Sequence, residues 1–180
     1  MTARECIIGR RSIRKFTSEP INHELLESVV EAASYAPSWK NTQITRYIAV
    51  EDPTLKAEIA KKATVSFPHN GEIINGAPVL IVVTMIKNRS GFERDGSFTT
   101  AKGDRWQMFD AGIASEAFCL SAYEQGLGTV IMGIFDESVI EDLLEIPEDR
   151  EVAALIAIGH PDETPQAPKR KTVEELLSYK

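Results

Sequence analysis

The stretch GRRSIRKF at residues 9–16 sets four cations, Arg10, Arg11, Arg14 and Lys15, around one hydroxyl, Ser12, in a chain of net charge −7. On an extended segment, side-chain alternation turns Arg10, Ser12 and Arg14 to one face. Two guanidiniums flanking a hydroxyl suit a phosphate or another flat, electron-rich anion, because the planar fork makes paired, charge-assisted hydrogen bonds. A second short basic group, Lys169-Arg170-Lys171, stands near the other terminus. From these residues alone the target of the charge is open. A nucleic acid, a neighbouring carboxylate, the phosphate of a small molecule and plain solvent are the four candidates. The first cations also follow a short predicted helix, whose C-terminal dipole favours positive charge.

Composition narrows these choices. With 180 residues, 43% hydrophobic and 26% charged, the chain fits one domain, 1–180, with a sizeable core. A pI near 5.1 opposes bulk binding to nucleic acid or to anionic membranes. A nucleic-acid surface would also need a broad basic stripe with interleaved aromatics, not two short clusters. The longest apolar run, APVLIVVTMI at 77–86, is about half the length of a membrane helix. MTARECIIGRRS has no leader pattern. Cys6 and Cys119 make neither a CxxC nor a metal spacing, so two free thiols in a reducing cytoplasm are expected. His23, His69 and His160 are scattered and are expected as surface or capping residues; no metal site is expected. No G-x-S-x-G, Walker A or HExxH motif occurs, and no side chain stands out as catalytic. GLGTVIMG at 126–133 resembles a dinucleotide glycine motif but runs helix, turn, strand, the wrong order for a pyrophosphate on a helix N-terminus. Gly126 and Gly128 are better read as a helix cap and a tight turn.

The elements that must position the cations follow from local signals. The capping box TARE predicts a helix over 3–9. Apolar residues at helical spacing predict a helix over 22–36, broken by APSWKNTQ at 36–43. ITRYIAV at 44–50 alternates like a strand, and Asp52-Pro53 opens a helix to about residue 63. PVLIVVTM at 78–85 reads as a strand buried on both faces. Residues 87–104 are polar and glycine-punctuated, an excursion or lid. The longest helix, 106–125, is apolar nearly all round and rich in small residues, hence central or between subunits. A strand within 126–135, a helix over 137–145, a buried strand over 152–159 and a terminal helix begun by the capping box TVEE at 172–175 complete an α+β chain with helices around a central sheet.

Four blocks, RRSIRKF, APSWKNTQ, WQMFDAGIASEAFCLSAYEQGLGTVIMGIF and IAIGHPDETPQAPKRKTVEEL, resemble the nitroreductase family of FMN-dependent oxidoreductases, in the family's order and over almost the whole chain. The resemblance implies an α+β fold with a mixed or antiparallel sheet and an intertwined homodimer with two FMN sites at the subunit interface. It implies that Arg10 and Ser12 hold the FMN phosphate with Arg170, Lys169 assisting, that Arg11 is among the cofactor-binding residues, and that Arg14 lies near the flavin's pyrimidine edge. Pro37, Ser38, Trp39 and Asn41 would reach the flavin from the partner subunit. Ile131, Met132 and Gly133 would lie beside its reactive N5, and Asn70 is a further candidate facing the ring. The implied activity is ping-pong transfer of a hydride from NADH or NADPH to a small aromatic acceptor, a nitroaromatic or a quinone, in the cytoplasm. Relatives on this fold also perform dehalogenation, ring oxidation or flavin breakdown, and a flavin-binding module without turnover is the remaining alternative. Ile44-Thr45 stands where the family commonly has Pro-Trp, on the substrate side. Trp39, Phe92, Phe98 and Trp106 are candidates either to stack on an acceptor or to pack on one another.

Overall fold

A computed structural model describes residues 1–180. Four strands, β1 (Thr45–Val50), β2 (Val79–Ile86), β3 (Gly128–Met132) and β4 (Arg150–Gly159), form one sheet in the order β1-β2-β4-β3. Every neighbouring pair is antiparallel, which settles the mixed-or-antiparallel expectation. The one parallel element is an isolated bridge between Ser12 and Thr129. Pairing runs from Thr45 opposite Met85 to Val50 opposite Leu80, and from Gly128 opposite Gly159 to Met132 opposite Leu155.

β2 is buried along almost its whole length, and its alternation feeds two cores. Leu80 and Val82 join Ile59, Ile74, Ile140 and Leu155 on one face. That layer is built by α3 (Pro53–Ala63), α4 (Pro68–Gly76) and α6 (Glu137–Leu144). Val79, Ile81 and Val83 join Val29, Phe118, Cys119, Ile156 and Ile158 on the other, under α2 (His23–Ala33) and α5 (Arg105–Glu124). The sheet is therefore sandwiched between two helical layers. α4 has no counterpart among the predicted elements. It opens on Phe67, which makes no side-chain cap, and carries Gly71 and Gly76, so its helicity rests on burying Ile73 and Ile74. α1 (Ala3–Gly9) has the complete capping box of Thr2 and Glu5, as expected. α5 ends on Gly126 in the left-handed region (φ +82), with Leu127 N–H bonded to Ala122 O and Gly126 N–H to Tyr123 O, the paired closure of a glycine-capped helix. No helix is long and apolar enough to cross a membrane.

Two buried polar features carry stability predictions. Lys56, 7% exposed, reaches from α3 to donate to the carbonyls of Ala77 at 2.5 Å and Pro78 at 2.9 Å, at the junction of α4 and β2. Burial lowers its ammonium below the ordinary lysine range. Lys56→Met keeps the packing stem but strands the Ala77 carbonyl, and is expected to lower the unfolding free energy by about 1–3 kcal/mol in urea titrations. On the other face, burial pushes the Cys119 thiol up to about 11 and the Tyr47 phenol up to about 12. Unfolded, they ionise near 9 and 10, so in that alkaline window the unfolded chain holds fewer protons than the folded one. Stability is therefore full below pH ~9 and falls as pH rises towards ~12. A Tyr47→Phe, Cys119→Ser variant should show a shallower alkaline fall in the urea midpoint.

Candidate functional site

The arginine arm meets the start of β3 at Thr129 and then runs against the segment that follows β4. Ile13 N–H donates to Thr129 O at 2.9 Å, Thr17 N–H to His160 O at 2.9 Å, and Asp162 N–H to Lys15 O at 2.9 Å. Ile13 is buried, Ser12 half-buried and Arg14 exposed, but Lys15 is exposed as well, so the alternation holds only around Ile13. This close seat needs Gly128: a Cβ there would stand 2.8 Å from Cβ and Cγ1 of Ile13. Arg10 leans on α5, its Nε 3.8 Å from Glu116 Oε1. Arg14 Nη1 donates to Ser12 O at 3.3 Å, and the Glu163 carboxylate accepts from the backbone N–H groups of Arg14 and Lys15.

Arg11 is not part of that group. Its Nη1 turns back to the carbonyls of Ile8 (2.7 Å), Gly9 (3.2 Å) and Arg10 (2.7 Å), closing the C-terminus of α1. The dipole role considered for the first cations belongs to this residue.

Ile131–Gly133 lies at the far end of the same β3. Met132 is buried, Ile131 is 44% exposed, and the position of a Gly133 Cβ is open space. Asn70 is also close: it is 6% exposed and its Nδ2 donates to Ile134 O at 2.9 Å, so its amide braces the exit of β3. A phosphate-competent donor set beside an open, partly apolar strand end fits a flavin nucleotide.

Pro37–Asn41 is elsewhere. The 3₁₀ turn Trp39–Asn41 precedes β1, at the opposite edge of the sheet from β3, three strand spacings or roughly 14 Å away. Trp39 N–H donates to Asp110 Oδ2 at 3.0 Å, whereas Arg10 meets α5 at Glu116. These positions are roughly 120° apart around the helix. Lys40, Asn41 and Gln43 hold positive φ values of 45°, 55° and 48°. The left-handed region costs Lys40 and Gln43 roughly 1–2 kcal/mol each, while asparagine at 41 tolerates it better. Trp39 and Trp106 pack on each other with centroids 4.8 Å apart, as do Phe92 and Phe98 at 4.9 Å, and Lys40 Nζ meets Glu93 Oε1 at 3.1 Å. Packing within the chain thus pairs the four aromatic candidates with one another, although Phe98 stays 58% exposed. Residues 87–104 hold a small hairpin in which Glu93 N–H donates to Ser97 O.

Lys169 and Arg170 are not brought to the arm. They stand exposed on an extension whose last helix, α7 (Val173–Leu176), is exposed throughout, with Leu176 at 72% and Tyr179 at 89%. A cavity of about 760 Å³ lies between α2 and β1 and shares only Pro37 and Ser38 with the predicted cofactor-binding residues. The three histidines are peripheral, beside Glu51, Glu72 and Glu19, and no cluster of metal-ligating side chains occurs. Sequence reasoning missed Asp110, which sits inside the third block but carries no spacing signal.

Comparison with known proteins agrees with this geometry. The family model "Nitroreductase family" matches residues 7–160. The NADPH-flavin oxidoreductase of Vibrio harveyi is 29% identical over 173 residues, covering 92% of this chain and 68% of that protein. Among solved structures, a nitroreductase family protein from Clostridium novyi NT is 30% identical with a TM-score of 0.78, over 93% of this chain and 89% of its own. An FMN-dependent nitroreductase from Clostridium difficile R20291 is 26% identical with a TM-score of 0.79, over 98% of both chains. The match runs from within α1, through the arm and the α5–β3 unit, to the residue after β4, and on that ground the chain belongs to the nitroreductase family.

Proposed function

We propose that the protein is a cytoplasmic, homodimeric FMN-dependent oxidoreductase, the whole chain forming one FMN-binding unit, that uses NADH or NADPH to reduce a small aromatic acceptor such as a quinone or nitroaromatic. The gathering of Arg10, Ser12 and Arg14 where the arm crosses the start of β3, the strand whose other end is open at Ile131–Gly133, carries this reading. Arg10 and Ser12 supply charged and neutral donors for the nucleotide phosphate, joined by Lys169 and Arg170. Arg14 supplies a fixed positive charge for the pyrimidine edge, where reduction accumulates negative charge. The open strand end leaves room for a flat ring beside backbone groups of 131–133. Bound FMN supplies two-electron hydride chemistry that no side chain of this protein can supply.

The two halves of the predicted site lie at opposite sheet edges, which supports a site completed by a second copy. The outer face of α5 exposes Phe109 (58%) and Met108 (50%), and α1 exposes Ile7 (62%) and Ile8 (57%), an apolar surface suited to that contact. The exposed C-terminal extension, with Val173, Leu176 and Leu177, is suited to cross to the second copy and carry Arg170 with it. Because donor and acceptor would use the same open face in turn, initial rates with NADPH and a quinone varied together should give parallel double-reciprocal lines. Converging lines would reject the ping-pong scheme.

A further inference from the structure

We infer that Asp110 is a positioning residue that holds the 38–43 loop in the shape presented to the flavin of a second copy. The inference rests on the shared FMN site proposed above and deepens it. Asp110 lies on α5, 3% exposed, with Oδ2 accepting the Trp39 N–H at 3.0 Å. A carboxylate is costly to bury unless a specific donor meets it. Here the donor is the first N–H of a 3₁₀ turn whose own N-cap, Ser38, makes no capping bond. Ser38 Oγ is committed instead to the Gln43 N–H at 3.0 Å. Asp110 therefore supplies from another element the cap that the loop lacks.

The loop needs such an anchor. Lys40, Asn41 and Gln43 all sit in the left-handed region without being glycine, a shape that persists only when its surroundings impose it. The remaining polar fasteners are peripheral: in the Lys40–Glu93 pair the side chains are 55% and 44% exposed, and such pairs contribute little. The tilted Trp39–Trp106 contact, with centroids 4.8 Å apart, depends on where the loop backbone places the Trp39 indole. Asp110 is the buried polar tie, and it directly follows Phe109, which the outer face of α5 exposes. One helix would thereby set both the subunit contact and the loop delivered across it, so a loop that slips on α5 is misplaced at the neighbouring site.

The test compares Asp110→Ala and Asp110→Asn with the wild-type protein by two readouts. One is the near-ultraviolet circular dichroism of the Trp39–Trp106 pair in flavin-free protein, and the other is FMN affinity by fluorescence titration. Asp110→Ala should lose most of the tryptophan signal and bind FMN about tenfold more weakly. Asp110→Asn retains an acceptor but not the charge, and should keep the signal while binding about threefold more weakly. A folded Asp110→Ala protein with wild-type signal and wild-type FMN affinity overturns the inference, as does a lower melting temperature with both readouts unchanged. Should the alanine variant fail to fold, an unchanged FMN affinity in Asp110→Asn overturns it instead. A wild-type protein that binds no FMN overturns the flavin role together with the reading beneath it. An intact tryptophan signal with tight FMN binding in Asp110→Ala marks failure of this inference alone.

Discussion

Arg10→Ala is expected to weaken FMN binding by about tenfold to a hundredfold, whereas Arg11→Ala should leave it within about twofold. A hydrogen bond to a charged group contributes about 1.5–3 kcal/mol, and each 1.4 kcal/mol is roughly a factor of ten in affinity. Arg10 is held against α5 with its side chain 23% exposed, and its only ion-pair partner is Glu116 at 3.8 Å, long enough to leave the guanidinium free for a ligand. Arg11 is engaged with three carbonyls at the end of α1, so its loss should cost the helix end about 0.3–1 kcal/mol and the nucleotide site little. Fluorescence titration of FMN against both variants and the parent checks the contrast. Equal losses from the two substitutions would mean that the cluster acts by net charge alone.

Gly128→Val should unseat the arm and take the nucleotide site with it. A Cβ at 128 meets Ile13 Cβ and Cγ1 at 2.8 Å and Cγ2 at 3.0 Å, and valine adds two methyl groups beyond that. Overpacking of this kind costs about 1–3 kcal/mol where the core holds. The arm, tied to β3 near this point by the Ile13 N–H to Thr129 O bond, can relieve the clash by moving outwards. Both a lower melting temperature and at least about a tenfold weaker FMN affinity are therefore expected. Trimming Ile13 to alanine would not rescue the variant, because the Ile13 Cβ that alanine keeps itself stands 2.8 Å from a Cβ at 128. A Gly128→Val protein that binds FMN as the parent does would show that the arm's seat on β3 is not what forms the site.

What was legible in the sequence is what local chemistry decides. The capping box at Thr2 and Glu5, the proline-opened α3, the doubly buried β2 and the glycine closing α5 each carry their signal within a few residues. α4 went unread although Pro68 marks its first turn, because Phe67 makes no cap and two glycines inside it leave its helicity to tertiary burial. The arm's alternation was legible in Ile13 and its neighbours, but Arg11 departed from the group because the carbonyls at the end of α1 lie nearer. Asp110 was invisible for a different reason. Its partner is a backbone N–H 71 residues away, and a contact of that kind leaves no spacing in the chain. Least legible was the separation of Pro37–Asn41 from the arm, since only the strand order β1-β2-β4-β3 puts them at opposite edges.

The central claim is a reducible flavin held by this chain, and an absorption spectrum tests it most directly. Purified protein, reconstituted with FMN and freed of unbound cofactor, should show bands near ~370 and ~450 nm that bleach when NADH or NADPH is added without oxygen, and that return on addition of a quinone. A protein that stays colourless after reconstitution, or bands that neither pyridine nucleotide bleaches, would contradict the account.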